Sequence, residues 1–245
     1  MAKLDIMWAS NKALDLRKQL GEDSFSPIDV FALVQQMENV TLIFYPLGKN
    51  ISGYCRKYAH SNIIVINSEM TEGRQRFSLA HELYHIFYDD SMSSYICSNF
   101  NSKATNEQYA DLFASFFLMP QNALSSAEFS APVGIKEIVR LEQFYRISRK
   151  AVLYRLYNEK KITKDELEEY SHGVKLSAKK LGYDDSLYNP SPEDRKCFVY
   201  GKYITEAEEL LKDNKISIGK YEEYLLSAYR DDLVYGFEDG GEIID

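Results

Sequence analysis

Apolar residues recur along the chain in two periods, and the switches between them divide it into elements. Ala13, Leu14, Leu16 and Leu20, interleaved with Lys and Arg, predict a helix over 9–20 that Gly21 ends. Ser26-Pro27 opens a second, with Ile28, Phe31, Leu33, Val34 and Met37 apolar. The period then shortens. Residues 40–46, 51–58 and 62–67 are β-rich runs, separated by turn-like Gly48-Lys49-Asn50 and His60-Ser61-Asn62. They predict a small, mainly antiparallel sheet of three strands, with 62–67 taken as its free edge.

Helical spacing returns with Phe77, Ala80, Tyr84 and Phe87, the apolar side of a half-buried helix. Residues 89–102 are rich in serine and asparagine, have no period, and read as a loop. Thr105 and Gln108 make a capping-box start for the next helix; Ala110, Phe113, Ala114 and Phe117 form its stripe, and Pro120 ends it. Further on, Ile135, Ile138, Val139, Leu141 and Phe144 predict one helix. Ser148 caps another, with Val152, Leu153, Leu156 and Tyr157 inward and Arg149, Lys150 and Arg155 outward. Thr163 to Glu166 caps a third. The short link at 145–148 makes the first two resemble a helix-turn-helix. After a break at 182–192, two short helices are expected near 203–213 and 217–230, and 238–245 is expected to fray.

Composition narrows the class. Apolar residues make up 45% of the 245, enough for a sizeable core. No apolar run approaches the roughly 20 residues a membrane helix needs. The first residues lack an extended apolar stretch and carry Asp5, so they are not expected to be a secretory signal. Three dispersed cysteines, Cys55, Cys97 and Cys197, suggest no disulfide framework and point to the cytoplasm. Net charge is −8, which argues against a generally basic nucleic-acid binder. Charge is uneven, however: 132–183 holds twelve Lys/Arg against seven Asp/Glu, and 190–245 holds seven against fourteen. The expected organisation is α+β: a sheet-containing unit over 1–131, a helical helix-turn-helix-like unit over 132–185, and an acidic helical segment over 186–245.

The chemistry concentrates in His81-Glu82-Leu83-Tyr84-His85. Four residues apart on a helix, His81 and His85 share a face and can grip one zinc ion, and Glu82 can act as general base on a metal-bound water. Near an apolar face, two unpaired imidazoles would be costly. On the next helix Glu107 and Asp111, at i and i+4, project two carboxylates from one face. One can ligate zinc, while the other can accept the free N–H of a ligating histidine and fix its tautomer. The arrangement with Gly and a third His at fixed offsets is ruled out, because those offsets hold Tyr88 and Ser91. His60 and His172 stand alone and are expected on the surface. Glu107 completes a two-His, one-Glu set that leaves zinc a fourth position for water.

The run RQRFSLAHELYH followed by NEQYADLFASFFLMP resembles the ImmA/IrrE family of zinc metallopeptidases. The family pairs a Phe-(Thr/Ser)-Leu-Ala-His-Glu-x-x-His helix with a Glu-x-x-Ala-(Asn/Asp)-x-Phe-Ala helix ending in Met-Pro. Both are present, with Glu107 22 residues after His85. PIDVFALV and ISGYCRKY upstream are also family-like, and the likeness covers roughly Asn11 to Leu156. The resemblance implies a zincin-like peptidase domain, His81, His85 and Glu107 as zinc ligands, Glu82 as catalytic acid/base, and Asp111 supporting a ligand. Tyr84 departs from the small residue common there, and Phe116-Phe117-Leu118 from a more aliphatic run; neither touches the ligands.

Relatives of this kind are bacterial or phage proteins that cut or inactivate a helix-turn-helix repressor, which relieves repression on a mobile element or stress regulon. The resemblance therefore implies a zinc endopeptidase in transcription regulation, with such a repressor as substrate. Two other readings stay open. One is a non-proteolytic partner of a small DNA-binding repressor, as in a toxin–antitoxin pair. The other is a DNA-binding regulator using 135–157; a structural helical subdomain is the preferred reading of that region.

Overall fold

A computed structural model describes residues 4–89, 94–98, 105–124 and 133–236, with the backbone alone for 94–98. The expected frayed end at 238–245 and most of the expected loop outside 94–98 lie outside the described residues.

Helix α1 (Ile6–Gln19) starts where the Asp5 carboxylate accepts the Trp8 N–H. Helix α2 (Val30–Gln35) begins after Asp29, not at Ser26-Pro27, because the Asp29 side chain accepts the N–H groups of Phe31 and Ala32. Strands β1 (Val40–Tyr45), β2 (Ile51–Lys57) and β3 (Asn62–Asn67) follow, then α3 (Glu72–Tyr88), β4 (Ser94–Ser98) and α4 (Thr105–Leu118). The later helices are α5 (Ile135–Tyr145), α6 (Arg149–Asn158), α7 (Lys164–Tyr170) and α8 (Val174–Lys180). Strand β5 (Phe198–Tyr200) precedes α9 (Tyr203–Lys212), α10 (Ile218–Ser227) and α11 (Asp231–Tyr235). The Thr163–Glu166 capping box forms at the start of α7. No helix among the described residues is long and apolar enough to cross a membrane.

The class is α+β, but the sheet has five strands in the order β4-β2-β3-β1-β5. Residues 62–67 are its centre, not its edge: β3 pairs parallel with β1 from Val40↔Asn62 to Tyr45↔Asn67, and antiparallel with β2. Consecutive burial from Ile64 to Asn67 is the mark of a strand covered on both faces. The fourth strand comes from the segment expected to be a loop, and pairs antiparallel with β2. The fifth comes from the acidic segment, where only helices were expected, and pairs antiparallel with β1.

Helix α3 packs on β2 and β3 on one side and against α4 on the other, and α1 packs on α4. Sandwiched in this way, α3 is buried at every position from Gly73 to His85 except Arg74, more than the half expected. Phe87, assigned to its apolar side, is exposed. One hydrophobic cluster runs from Ala13 through the sheet, α3 and α4 to Ile162, so residues on both sides of position 131 share a core. A smaller cluster joins Val139, Ala178, Leu187 and Tyr188. Gly73 is where α3 meets the α5–α6 turn. A Cβ there would stand 2.8 Å from the Ser148 backbone nitrogen, so only glycine allows the two backbones this close.

The polarity of α6 is partly reversed from expectation. Arg149 and Arg155 are buried, and Tyr157 is exposed. Arg149 pairs with Glu142 and donates to the Tyr170 carbonyl and Ser177 Oγ, both at 2.8 Å. Arg155 pairs with Glu159 and lies 3.7 Å from the Phe116 ring centre. A guanidinium with five donors can be satisfied inside a fold when carboxylates and carbonyls are supplied. Lys150 stays exposed.

Candidate metal centre

The site sits where α3 crosses α4. The spacing of His81 and His85 puts both rings on one face of α3, and their Nε2 atoms are 3.2 Å apart. Glu107, in the first turn of α4, brings Oε2 to 3.5 Å from His81 Nε2 and Oε1 to 3.2 Å from His85 Nε2. All three residues are buried, and their donor atoms lie within 4.8 Å of one another.

This triangle fits a tetrahedral metal. Donors about 2.0–2.1 Å from one such ion stand roughly 3.3 Å from each other. The outer nitrogens are held as a metal site requires. His81 Nδ1 is 2.9 Å from Asp111 Oδ1, and His85 Nδ1 is 3.1 Å from Asp89 Oδ2. A carboxylate behind each ring keeps the proton on Nδ1 and turns the Nε2 lone pair towards the ion. Asp89 is itself fixed: its carboxylate accepts from Asn106 Nδ2 at 3.3 Å and its carbonyl from Lys57 Nζ at 2.6 Å.

Asp89 was missing from the sequence reading, which placed it at the start of a loop. A signal existed. It is four residues after His85, so a last helical turn carries it over that histidine, as the i, i+4 rule for helical pairs allows. His60 and His172 are exposed and, among the described residues, belong to no such cluster.

The electrostatics suit a cation. Burial opposes a charged His81, yet hydrogen bonds with Asp111 and Glu107 outweigh it and push its pKa up to about 10. Glu82 is fully buried, and the polar group beside its carboxylate is the weakly donating Cys55 thiol. Such a carboxylate is costly to keep for structure alone. It faces β2: a Cβ on Gly53 would approach Glu82 Oε1 to 3.6 Å, beside the β2–β4 register shift. The Cys55 thiol adjoins it, and burial followed by the Glu82 charge holds that thiol well above the ordinary range. The site thus combines a three-ligand cation nest with one buried carboxylate whose neighbour is a weakly donating thiol. That is the equipment for metal-assisted proton transfer.

Comparison with known proteins agrees with this geometry. The profile of the peptidase M78 family, described as the IrrE N-terminal-like domain, matches residues 36–157, which include β1 to β4 and both ligand helices. The radiation response metalloprotease IrrE of Deinococcus deserti is 27% identical over 135 residues, covering 52% of this chain and 46% of the relative. The protein of the same name from Deinococcus radiodurans is 29% identical over 134 residues, covering 52% of this chain and 40% of the relative. The aligned part thus spans less than half the length of either relative. With a His-His-Glu nest set in the matched region, this chain belongs to the ImmA/IrrE family of metallopeptidases.

Proposed function

We propose that the chain is a zinc-dependent endopeptidase that cleaves a helix-turn-helix transcriptional repressor. The observation that carries the peptidase reading is the donor triangle, with two imidazoles and one carboxylate at tetrahedral spacing and a carboxylate behind each ring. Two nitrogens and one oxygen of this kind suit zinc, and three protein ligands leave a coordination position open. The likeness to the two Deinococcus radiation response metalloproteases supports the same chemistry.

When bound, zinc supplies Lewis acidity to the scissile carbonyl and acidifies the attacking water. The chain does the rest. His81, His85 and Glu107 hold the ion, and Asp111 and Asp89 fix the rings. Glu82 accepts the proton of the attacking water and returns it to the leaving amine. Substrate main chain pairs with the outer edge of β4, the last strand on the side of β2, whose face meets Glu82. In this reading 1–131 is the peptidase unit, with the units at 132–185 and 186–245 built on it. Free Cys55 and Cys197 fit work in the cytoplasm. The inward turn of Arg149 and Arg155 counts against 135–157 as a DNA reader.

The test is to incubate the zinc-loaded protein, and its Glu82→Gln form, with the helix-turn-helix regulator encoded beside it, and to follow the regulator's mass. Cleavage by the native protein alone is expected. A regulator that binds both forms and stays intact would instead make the chain a non-proteolytic partner.

A further inference from the structure

Strand β2 lies against α3, and Gly53, Cys55 and Lys57 follow one another on the face it turns to that helix. Its register with β3 is unbroken from Gly53↔Ile66 to Lys57↔Asn62, so these alternate residues share one face of the sheet. Distances tie the two outer members to α3. A Cβ on Gly53 would stand 3.6 Å from Glu82 Oε1, and Lys57 Nζ donates to the Asp89 carbonyl at 2.6 Å. Cys55 sits between them with 2% exposure, against a Glu82 that has none. There its thiol donates to the Glu82 carboxylate.

Two members of this line already serve the metal centre. Gly53 leaves room for Glu82, and Lys57 fixes the residue behind His85. The middle member meets a need that packing does not. The last torsion of a glutamate is broad, so apolar neighbours hold the side chain but leave the plane of its carboxylate loosely set. A donor on one side sets it. A thiol is suited to a dry seam, being a small apolar group with one weak donor, and Cys55 is part of the main hydrophobic cluster. Burial and the Glu82 charge both oppose its ionisation, so it keeps the proton that it donates.

We propose that Cys55 is the positioning residue of the general base: its thiol fixes the plane of the Glu82 carboxylate, so that this group is aimed for proton transfer at the metal centre. The inference rests on the peptidase reading for the role of Glu82. The thiol–carboxylate contact itself does not depend on that reading.

The experiment uses the full chain, and its first part needs neither metal nor substrate. The S–H stretching band is read by infrared difference spectroscopy, native minus Cys55→Ala, which isolates Cys55 from Cys97 and Cys197. The band is expected below that of an exposed thiol, as for a donor to a carboxylate, and it should rise in Glu82→Ala. Glu82→Gln keeps the shape of the side chain and removes its charge. A smaller rise is expected there, and it decides the matter if Glu82→Ala does not fold. A band that neither change moves would overturn the proposal. The second part follows the zinc-loaded chain cutting the helix-turn-helix regulator. Cys55→Ala is expected to lower kcat about tenfold, with KM and zinc affinity unchanged, as a modest misalignment does. Cys55→Ser keeps a donor and should restore kcat to within about threefold of native. Alanine and serine are close in size, so if Cys55 only packs, serine will do no better than alanine, and that result would overturn the proposal. The two readings can fail separately. Cutting that needs Glu82, with the band unmoved, would overturn the positioning role and leave the peptidase. A band that moves in a chain that cuts nothing would uphold the contact and overturn the peptidase reading, and with it the positioning role.

Discussion

Asp89 offers a sharp test of how this centre holds its metal. Its carboxylate is almost wholly buried, with side-chain exposure of 2%, and lies 3.1 Å from His85 Nδ1. Asp111 does the same for His81 at 2.9 Å, but its side chain is 35% exposed. Replacing Asp89 with Ala leaves the buried His85 Nδ1 proton without its acceptor. At Asp111, water can enter and take over the hydrogen bond. Loss of a carboxylate behind a ligating histidine lowers metal affinity about 10- to 100-fold, which is roughly 1.4–2.7 kcal/mol. Asp89→Ala should fall at the upper end of that range and Asp111→Ala at or below the lower. Asp89→Asn should lie between, since its amide oxygen still accepts the N–H but brings no charge. Zinc affinity is read by competition with a fluorescent chelator at constant pH and salt. If Asp89→Ala binds zinc within about threefold of the native chain, or Asp111→Ala costs more, then burial is not what gives these carboxylates their strength.

Three further outcomes are expected. The raised His81 pKa belongs to the folded, metal-free protein, so its stabilising share is whole below about pH 6.5 and drains away as pH rises towards about 10. Zinc must displace that proton, so uptake near neutral pH should release close to one proton per ion, and apparent affinity should climb with pH; calorimetry in buffers of different ionisation enthalpy that finds no release would refute it. Gly73→Ala should destabilise the fold even though alanine is worth about 1 kcal/mol more in a helix. The new Cβ would meet the Ser148 backbone at 2.8 Å, and overpacking costs about 1–3 kcal/mol, so an unchanged or raised Tm would mean that the α3–α6 contact is looser than described. Arg17→Ala should cost about 3–5 kcal/mol in urea unfolding, because Arg17 is fully buried and its guanidinium satisfies the carbonyls of Asp23, Ser26 and Phe117.

The sequence by itself determined the local facts. Period, caps and breakers place α1, β1 to β3, α3, α4, α5 to α7, α9 and α10 within a few residues, because each signal lies inside the element it describes; α8 had no such signal. The spacing of His81 and His85 alone puts both rings on one face, and that of Glu107 and Asp111 does the same on α4. Everything that needed a partner distant in sequence was decided by tertiary structure. Strand order is a matter of which edges meet, so β3 went to the centre, and two short segments without clear alternation became β4 and β5 by pairing with strands already formed. The inward turn of Arg149 and Arg155 depended on Glu142, Tyr170 and Phe116, which no helical wheel of α6 contains. The meeting of Glu107 with the two histidines required α3 and α4 to cross where they do. Asp89 stands between the two cases. Its offset from His85 is local, but only the burial of the chain around it makes a carboxylate there the partner of that ring.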